Sequence, residues 1–174
     1  MAVVGLFYGS DTGNTENIAK MIQKQLGSEL VDIRDIAKSS KEDIEAYDFL
    51  LFGIPTWYYG EAQADWDDFF PTLEEIDFTD KLVAIFGCGD QEDYADYFCD
   101  AIGTIRDIVE PRGAIVVGHW PTDGYSFEES KALLEPGTFI GLCIDEDRQP
   151  ELTAERVEKW TKQIYDEMCL AELA

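Results

Sequence analysis

Short apolar runs recur along the chain at Val3–Tyr8, Leu30–Ile33, Phe49–Ile54, Leu82–Phe86, Ala114–Val117 and Phe139–Ile144. They are continuous rather than alternating, the pattern of strands buried on both faces of a parallel sheet. Segments of helical period lie between them. Ile18, Ile22 and Leu26 recur every fourth residue and stop at Gly27. Phe98, Ile102, Ile105 and Val109 form a second stripe, ended by Pro111 and Gly113; Val157, Trp160, Ile164 and Met168 form a third. This alternation predicts an α/β fold, a doubly wound parallel sheet with helices on both faces and right-handed crossovers, in a single domain over residues 1–174. The rhythm breaks between His119 and Thr138, where Pro121, Gly124, Pro136 and Gly137 interrupt any period. That stretch reads as a long insertion near or within the fifth strand.

The turn after the first run is Gly9-Ser10-Asp11-Thr12-Gly13-Asn14-Thr15. A strand, a loop of glycines and hydroxyls, and then a helix together make a socket for phosphate, because free N–H groups and the helix dipole meet at the helix start. Ser10, Thr12 and Thr15 add hydroxyl donors, and no Lys or Arg lies in the loop. The spacing excludes both the Walker loop and the Gly-x-Gly-x-x-Gly dinucleotide loop. Neutral donors suit one tightly held ligand better than nucleotide turnover.

Two further loops follow the third and fourth runs. Pro55-Thr56-Trp57-Tyr58-Tyr59-Gly60 sets three consecutive aromatics at the end of a buried strand. Gly87-Cys88-Gly89-Asp90-Gln91-Glu92-Asp93-Tyr94 supplies glycines for close approach, an acceptor at Asp90 and another ring at Tyr94. In an open α/β sheet ligands bind beyond the carboxyl ends of the strands. A flat aromatic ligand with a phosphate tail fits these loops, its ring between Trp57 and Tyr94.

Composition narrows the partners. The chain carries 37 acids and 13 bases, for a net charge of −24, which repels nucleic acid and anionic membranes. Thirteen of the acids and only one base, Lys81, fall between Glu61 and Asp100. Such a run is either a solvated face or a docking patch for a cationic partner. The four cysteines, Cys88, Cys99, Cys143 and Cys169, are widely spaced, and His119 is the single histidine. No metal site is expected, and the cysteines read as buried, reduced thiols. His119 reads as packing or surface. No signal segment or membrane span is expected, so the reading is of a cytoplasmic protein.

These motifs resemble the flavodoxins, specifically the long-chain group and its bacterial housekeeping members. The likeness rests on Ser10 to Thr15, on Pro55 to Gly60, on Gly89-Asp90-Gln91 with Tyr94, and on Asp145-Glu146-Asp147, and the insertion matches the long-chain feature. The resemblance implies a five-stranded sheet of order 2-1-3-4-5 with FMN at the switch point. It implies non-covalent FMN, with Ser10, Asp11, Thr12, Gly13, Asn14 and Thr15 on the phosphate. Thr56 and Asp147 would contact the ribityl chain, and Trp57 and Tyr94 would flank the ring. Backbone at Tyr58, Tyr59, Gly60, Gly89 and Asp90, in the loops that begin at Pro55 and Gly87, would face its polar edge.

The implied activity is low-potential, one-electron transfer by a monomer between an NADPH-dependent reductase and acceptor enzymes, met by transient electrostatic docking. A negative charge roughly 10 Å from a reduced, anionic flavin costs about 1.7 kcal/mol at an effective dielectric near 20. That is on the order of 70 mV downward for one electron. The peptide after Tyr58 is expected to reverse on one-electron reduction, with Gly60 easing the motion. The rival readings are an FMN-dependent quinone reductase, which needs room over the ring that Trp57 and Tyr94 would cover, and a phosphorylated receiver domain. A receiver needs a phosphorylatable Asp after the third strand, where Pro55-Thr56-Trp57 stands.

Overall fold

The computed structural model describes residues 2–172. Its main sheet is built from β1 (Val4–Tyr8), β2 (Val31–Asp35), β3 (Phe49–Gly53), the hairpin strands β4 (Thr56–Trp57) and β5 (Glu61–Ala62) standing apart, and then β6 (Leu82–Cys88) and β7 (Ile115–Val117). The insertion holds β8 (Trp120–Pro121), β9 (Leu133–Glu135) and β10 (Thr138–Phe139), and β11 (Leu142–Ile144) returns to the sheet. The helices are α1 (Asn14–Leu26), α2 (Lys41–Glu45), α3 (Ala64–Leu73), α4 (Asp100–Val109) and α5 (Thr153–Glu167).

The sheet runs β2, β1, β3, β6, β11 and is parallel throughout, with β7 also paired to β6. The expected order holds, with a correction at the fifth position, which two short strands share. β7 pairs with Leu82–Ala84 of β6, and β11 pairs with Phe86–Cys88. The insertion therefore interrupts the fifth strand itself. It is not irregular: its three short strands form an antiparallel sheet of order β8-β10-β9. Phe98, Tyr125, Phe127 and Phe139 clamp it to the body, with ring centroids 5.1 to 5.9 Å apart.

Alternation within each strand explains why the runs are apolar throughout. Val4, Leu6, Leu51, Ala84 and Phe86 face one cluster with Ile18 and Ile22 of α1 and Val157 and Trp160 of α5. Phe7, Leu50, Phe52, Val83 and Ile85 face the other, with Trp66 and Phe69 of α3 and Ile102 and Ile105 of α4. Both faces are covered, so neither parity of side chain has a polar option. Truncating a fully buried member such as Leu51 to Ala should remove about 2–5 kcal/mol of stability.

The three helical stripes appear as α1, α4 and α5, though Phe98 lies ahead of α4 and Met168 just past α5. Gly27 closes α1 as expected, and Gly113 stops the chain after α4 in the left-handed region. α2 and α3 were not anticipated. α2 spans five residues and is held by a capping box between Ser40 and Asp43, while α3 carries Pro71 inside it, which reads as a breaker. All four cysteines are free thiols. Cys88, Cys99 and Cys143 are buried, but Cys169 is exposed, contrary to expectation, because it lies just past the end of α5 at φ +55°. Among the described residues no helix is long and apolar enough to cross a membrane, and no group of three or more His, Cys, Asp or Glu could hold a metal.

Candidate functional site

The register fixes where the loops leave the sheet. Tyr8 pairs with Asp35 and Gly53, Gly53 with Phe86, and Cys88 with Ile144. The turns after β1, β3, β6 and β11 thus emerge side by side at the carboxyl edge. The first is shaped by Gly13, which caps α1 at φ +93° with its N–H donated to Ser10 Oγ at 3.0 Å. No side chain caps this helix. The first ladder bond runs from the Asn17 N–H to the Gly13 carbonyl, 2.9 Å, so the amides of Asn14, Thr15 and Glu16 have no intrahelical acceptor. Thr12 is exposed. Thr15 is buried and donates its hydroxyl only to Cys88 Sγ, at 3.6 Å, a weak acceptor. Gln63, fully buried, pins the loop from behind by donating to Asp11 Oδ1 at 3.0 Å while its Oε1 accepts from the Trp66 amide.

After β3, the β4–β5 hairpin closes on Tyr58, Tyr59 and Gly60, with Thr56 opposite Ala62 and Trp57 opposite Glu61. Tyr58 sits at φ +47° and Gly60 at φ +86°. For tyrosine the left-handed conformation costs about 1–2 kcal/mol. Both tyrosines are more than half exposed and meet Tyr94 edge-on at 6.2 and 6.5 Å. Trp57 touches Tyr58 at 6.4 Å. Thr56 Oγ1 accepts from the Ala101 amide at 2.9 Å, leaving its own proton free. The Trp57 indole N–H is buried and has no partner.

The third and fourth loops are bound to each other. Asp145 is fully buried and accepts four N–H groups, from the Gln91 amide and side chain and from the Asp147 and Arg148 amides, at 2.9 to 3.1 Å. Gln91 passes the tie on, accepting the Ser126 amide of the insertion. Arg148 reaches Asp90 at 3.1 Å, Glu92 at 3.1 Å and Asp93 at 2.9 Å, so one guanidinium gathers three carboxylates. Burial pushes Asp90 up, but hydrogen bonds from Arg148 and the Asp93 and Glu92 amides outweigh it and hold the carboxyl below its usual range. Asp147 is raised, first by burial and then by Asp90 and Asp145. Burial also pushes the Cys88 thiol far up, so it stands in the site as a neutral thiol.

Ser10, Asp11, Thr12, Asn14, Thr15, Pro55, Thr56, Trp57, Gly89, Asp90, Tyr94 and Asp147 line a single cleft. Gly13 is not part of that lining and acts through the backbone of the first loop. Tyr58 lines the adjoining groove with Trp57, Glu61 and Asp67, while Tyr59 and Gly60 belong to neither lining. Cys88 and Glu146 also line the cleft. Cys88 ends β6 and Glu146 follows β11, and neither has a side chain that advertises binding. Gln63 and Arg148 are not singled out by the sequence, and Gln91, part of the Gly89-Asp90-Gln91 motif, gets no role of its own there, because their partners lie as far as 58 residues away in the chain.

The cleft fits a phosphorylated aromatic ligand. The first loop offers unpartnered amides and weakly engaged hydroxyls and no base, and Trp57 in the same lining carries an orphaned indole N–H, which a ligand oxygen would satisfy. Comparison with known proteins agrees. The family model described as Flavodoxin matches residues 6–160. The chain belongs to the flavodoxin family. It is 92% identical over all 174 residues, and over the whole of the relative, to a flavodoxin of Haemophilus influenzae. To flavodoxin 1 of Escherichia coli K12 it is 77% identical over 173 residues, covering 99% of this chain and 98% of that one. The crystal structure of Fusobacterium nucleatum flavodoxin bound to flavin mononucleotide superposes with a TM-score of 0.90 at 39% identity, over 96% of this chain and 99% of the other. Flavodoxins are electron-transfer proteins rather than enzymes, and they work with protein redox partners. The 174 residues place this one in the long-chain group.

Proposed function

We propose that this protein is a low-potential, one-electron carrier that holds FMN non-covalently in the cleft at the carboxyl edge of the sheet. FMN, when bound, supplies the redox chemistry by taking up and releasing electrons singly. The observation that carries the reading is the buried, unpartnered Trp57 indole N–H in the lining of the same cleft as a base-free loop of open amides. Ser10, Thr12, Asn14 and Thr15 hold the phosphate, with the Trp57 N–H as a further donor, while Asp11 and Gly13 fix the loop's shape. Thr56 keeps a free hydroxyl proton for the ribityl chain, and Asp147 lines the same cleft. Trp57, following Pro55, and Tyr94 flank the ring, and the backbone of Tyr58, Tyr59, Gly60, Gly89 and Asp90 meets its polar edge. With both faces flanked, an electron enters but a nicotinamide or quinone does not stack.

The left-handed Tyr58 makes the hairpin turn a natural two-state element, and the Tyr58–Tyr59 peptide reverses between redox states. Crystals of the two states that show an unmoved peptide would sink that part. The acidic rim, with Glu61, Asp67, Glu92 and Asp93 around the cleft, meets basic faces of a reductase and of acceptor enzymes through a small, transient contact made by a monomer. The decisive experiment is reconstitution with FMN followed by a redox titration read by absorbance. Stoichiometric uptake and two separated one-electron steps are expected. A colourless chain that does not retain FMN, or a single two-electron wave, overturns the reading.

A further inference from the structure

One carboxylate of the acidic stretch is unlike the rest. Glu92 and Asp93 are exposed, whereas Asp100, the first residue of α4, is 2% exposed. One of its oxygens, Oδ1, accepts the Lys131 backbone N–H of the insertion at 2.7 Å. The other lies directly beneath the hairpin turn. A Cβ built on Gly60 would stand 2.7 Å from Asp100 Oδ2 and 3.3 Å from the Tyr97 ring. The next residue, Ala101, donates its amide to Thr56 Oγ1 at the start of the same hairpin. Tyr97 in turn packs edge-on against Tyr59, centroids 5.7 Å apart. The carboxylate thus sits where the insertion, the start of α4 and the Tyr58–Gly60 turn converge.

We infer that Asp100 is the positioning residue of the Tyr58–Tyr59–Gly60 turn, supporting it through one carboxylate oxygen while the other fastens that support to the insertion at Lys131. This rests on the reading of the turn as the cofactor's contact. A peptide that reverses swaps an N–H for a C=O on each side, and a negative oxygen held against the neighbouring Gly60 favours the first and opposes the second. The charge on Asp100 therefore biases which way the turn points and, through it, the first one-electron step. Lys131, Glu129 and Glu128 of the insertion, Tyr97 and Asp96 of the preceding segment, and Tyr59 of the turn are the ionisable groups around this spot. Burial raises Asp100 above the ordinary aspartate, Glu129 adds to that, and the Lys131 amide and charge oppose it. Asp100 accordingly keeps its proton to a higher pH than an ordinary aspartate.

The test uses the FMN-loaded protein and Asp100→Asn. In wild type the Gly60 amide, followed by NMR, should shift with pH along a single titration whose midpoint lies above about 3.9, the ordinary aspartate value. In D100N that titration should vanish. At pH 7 the first-electron equilibrium of D100N should differ from wild type by about three- to tenfold, tenfold being about 59 mV for one electron. The difference should close as pH falls through the Asp100 midpoint, because the wild-type side chain is then neutral as well. FMN affinity should change by less than about threefold, or 0.7 kcal/mol, which separates a positioning role from a general loss of structure. A Gly60 amide indifferent to pH, or potentials that coincide at every pH, overturns the inference. If D100N does not fold, the wild-type Gly60 titration decides alone. If the wild-type chain fails to retain FMN, the functional reading fails, and the Gly60 titration of the apoprotein still decides the role of Asp100.

Discussion

Trp57 has an indole N–H without an acceptor, and Thr12 has an exposed hydroxyl one turn from an uncapped helix. A hydrogen bond to a charged group contributes about 1.5–3 kcal/mol. Trp57→Phe and Thr12→Ala should therefore each weaken FMN binding by roughly 10- to 100-fold, read by quenching of flavin fluorescence, with apoprotein stability little changed. An unchanged affinity in both would show that neither donor reaches the ligand. At this scale the sequence was legible where residue type alone carries chemistry, as in Ser10, Thr12 and Thr15, or in Trp57 after Pro55. It was silent on what each side chain does with its own bonds. Asp11 faces Gln63, and Asp145, buried without a cation, binds four N–H groups. Those roles depend on residues brought from distant parts of the chain, which no local pattern reveals.

Among the elements, the β4–β5 hairpin concentrates strain. Its two positive-φ residues and the carboxylate under Gly60 leave no space for a methyl group. Gly60→Ala should lower apoprotein stability by about 1–3 kcal/mol, measured by urea unfolding, and should shift the first one-electron potential. A variant as stable as wild type would mean that the turn relaxes freely. The strands were the most legible elements, since both parities of side chain are buried and the apolar runs are unbroken. Their ends were less so: Leu30–Ile33 becomes Val31–Asp35, because backbone pairing with β1 carries the strand past its last apolar residue. The short α2 and the proline-bearing α3 escaped notice because tertiary packing and caps, rather than a long periodic stripe, hold them.

At the scale of the whole molecule, charge dominates. A net charge of −24 on one small domain repels itself as well as anionic surroundings. Raising ionic strength from about 0.01 to 0.15 M shortens the screening length from roughly 30 to 8 Å. Two effects should follow: the apoprotein should gain stability in urea titrations, and electron transfer to a basic partner should slow. If salt left both unchanged, the acidic rim would be a solvated face and nothing more. The sheet order came with the family resemblance, and the pattern alone supplied the alternation of strands and helices. The halving of the fifth strand was legible only as a broken rhythm between His119 and Thr138. That halving has a bearing on self-association. A sheet with a long bare margin invites a second chain to add a strand. Here one margin is divided between two three-residue pieces, Ile115–Val117 and Leu142–Ile144, and the opposite margin, Val31–Asp35, bears Asp32, Arg34 and Asp35. Neither side presents a flat, uncharged ladder on which copies of the chain could stack, so a crowded pool of carriers can stay dispersed.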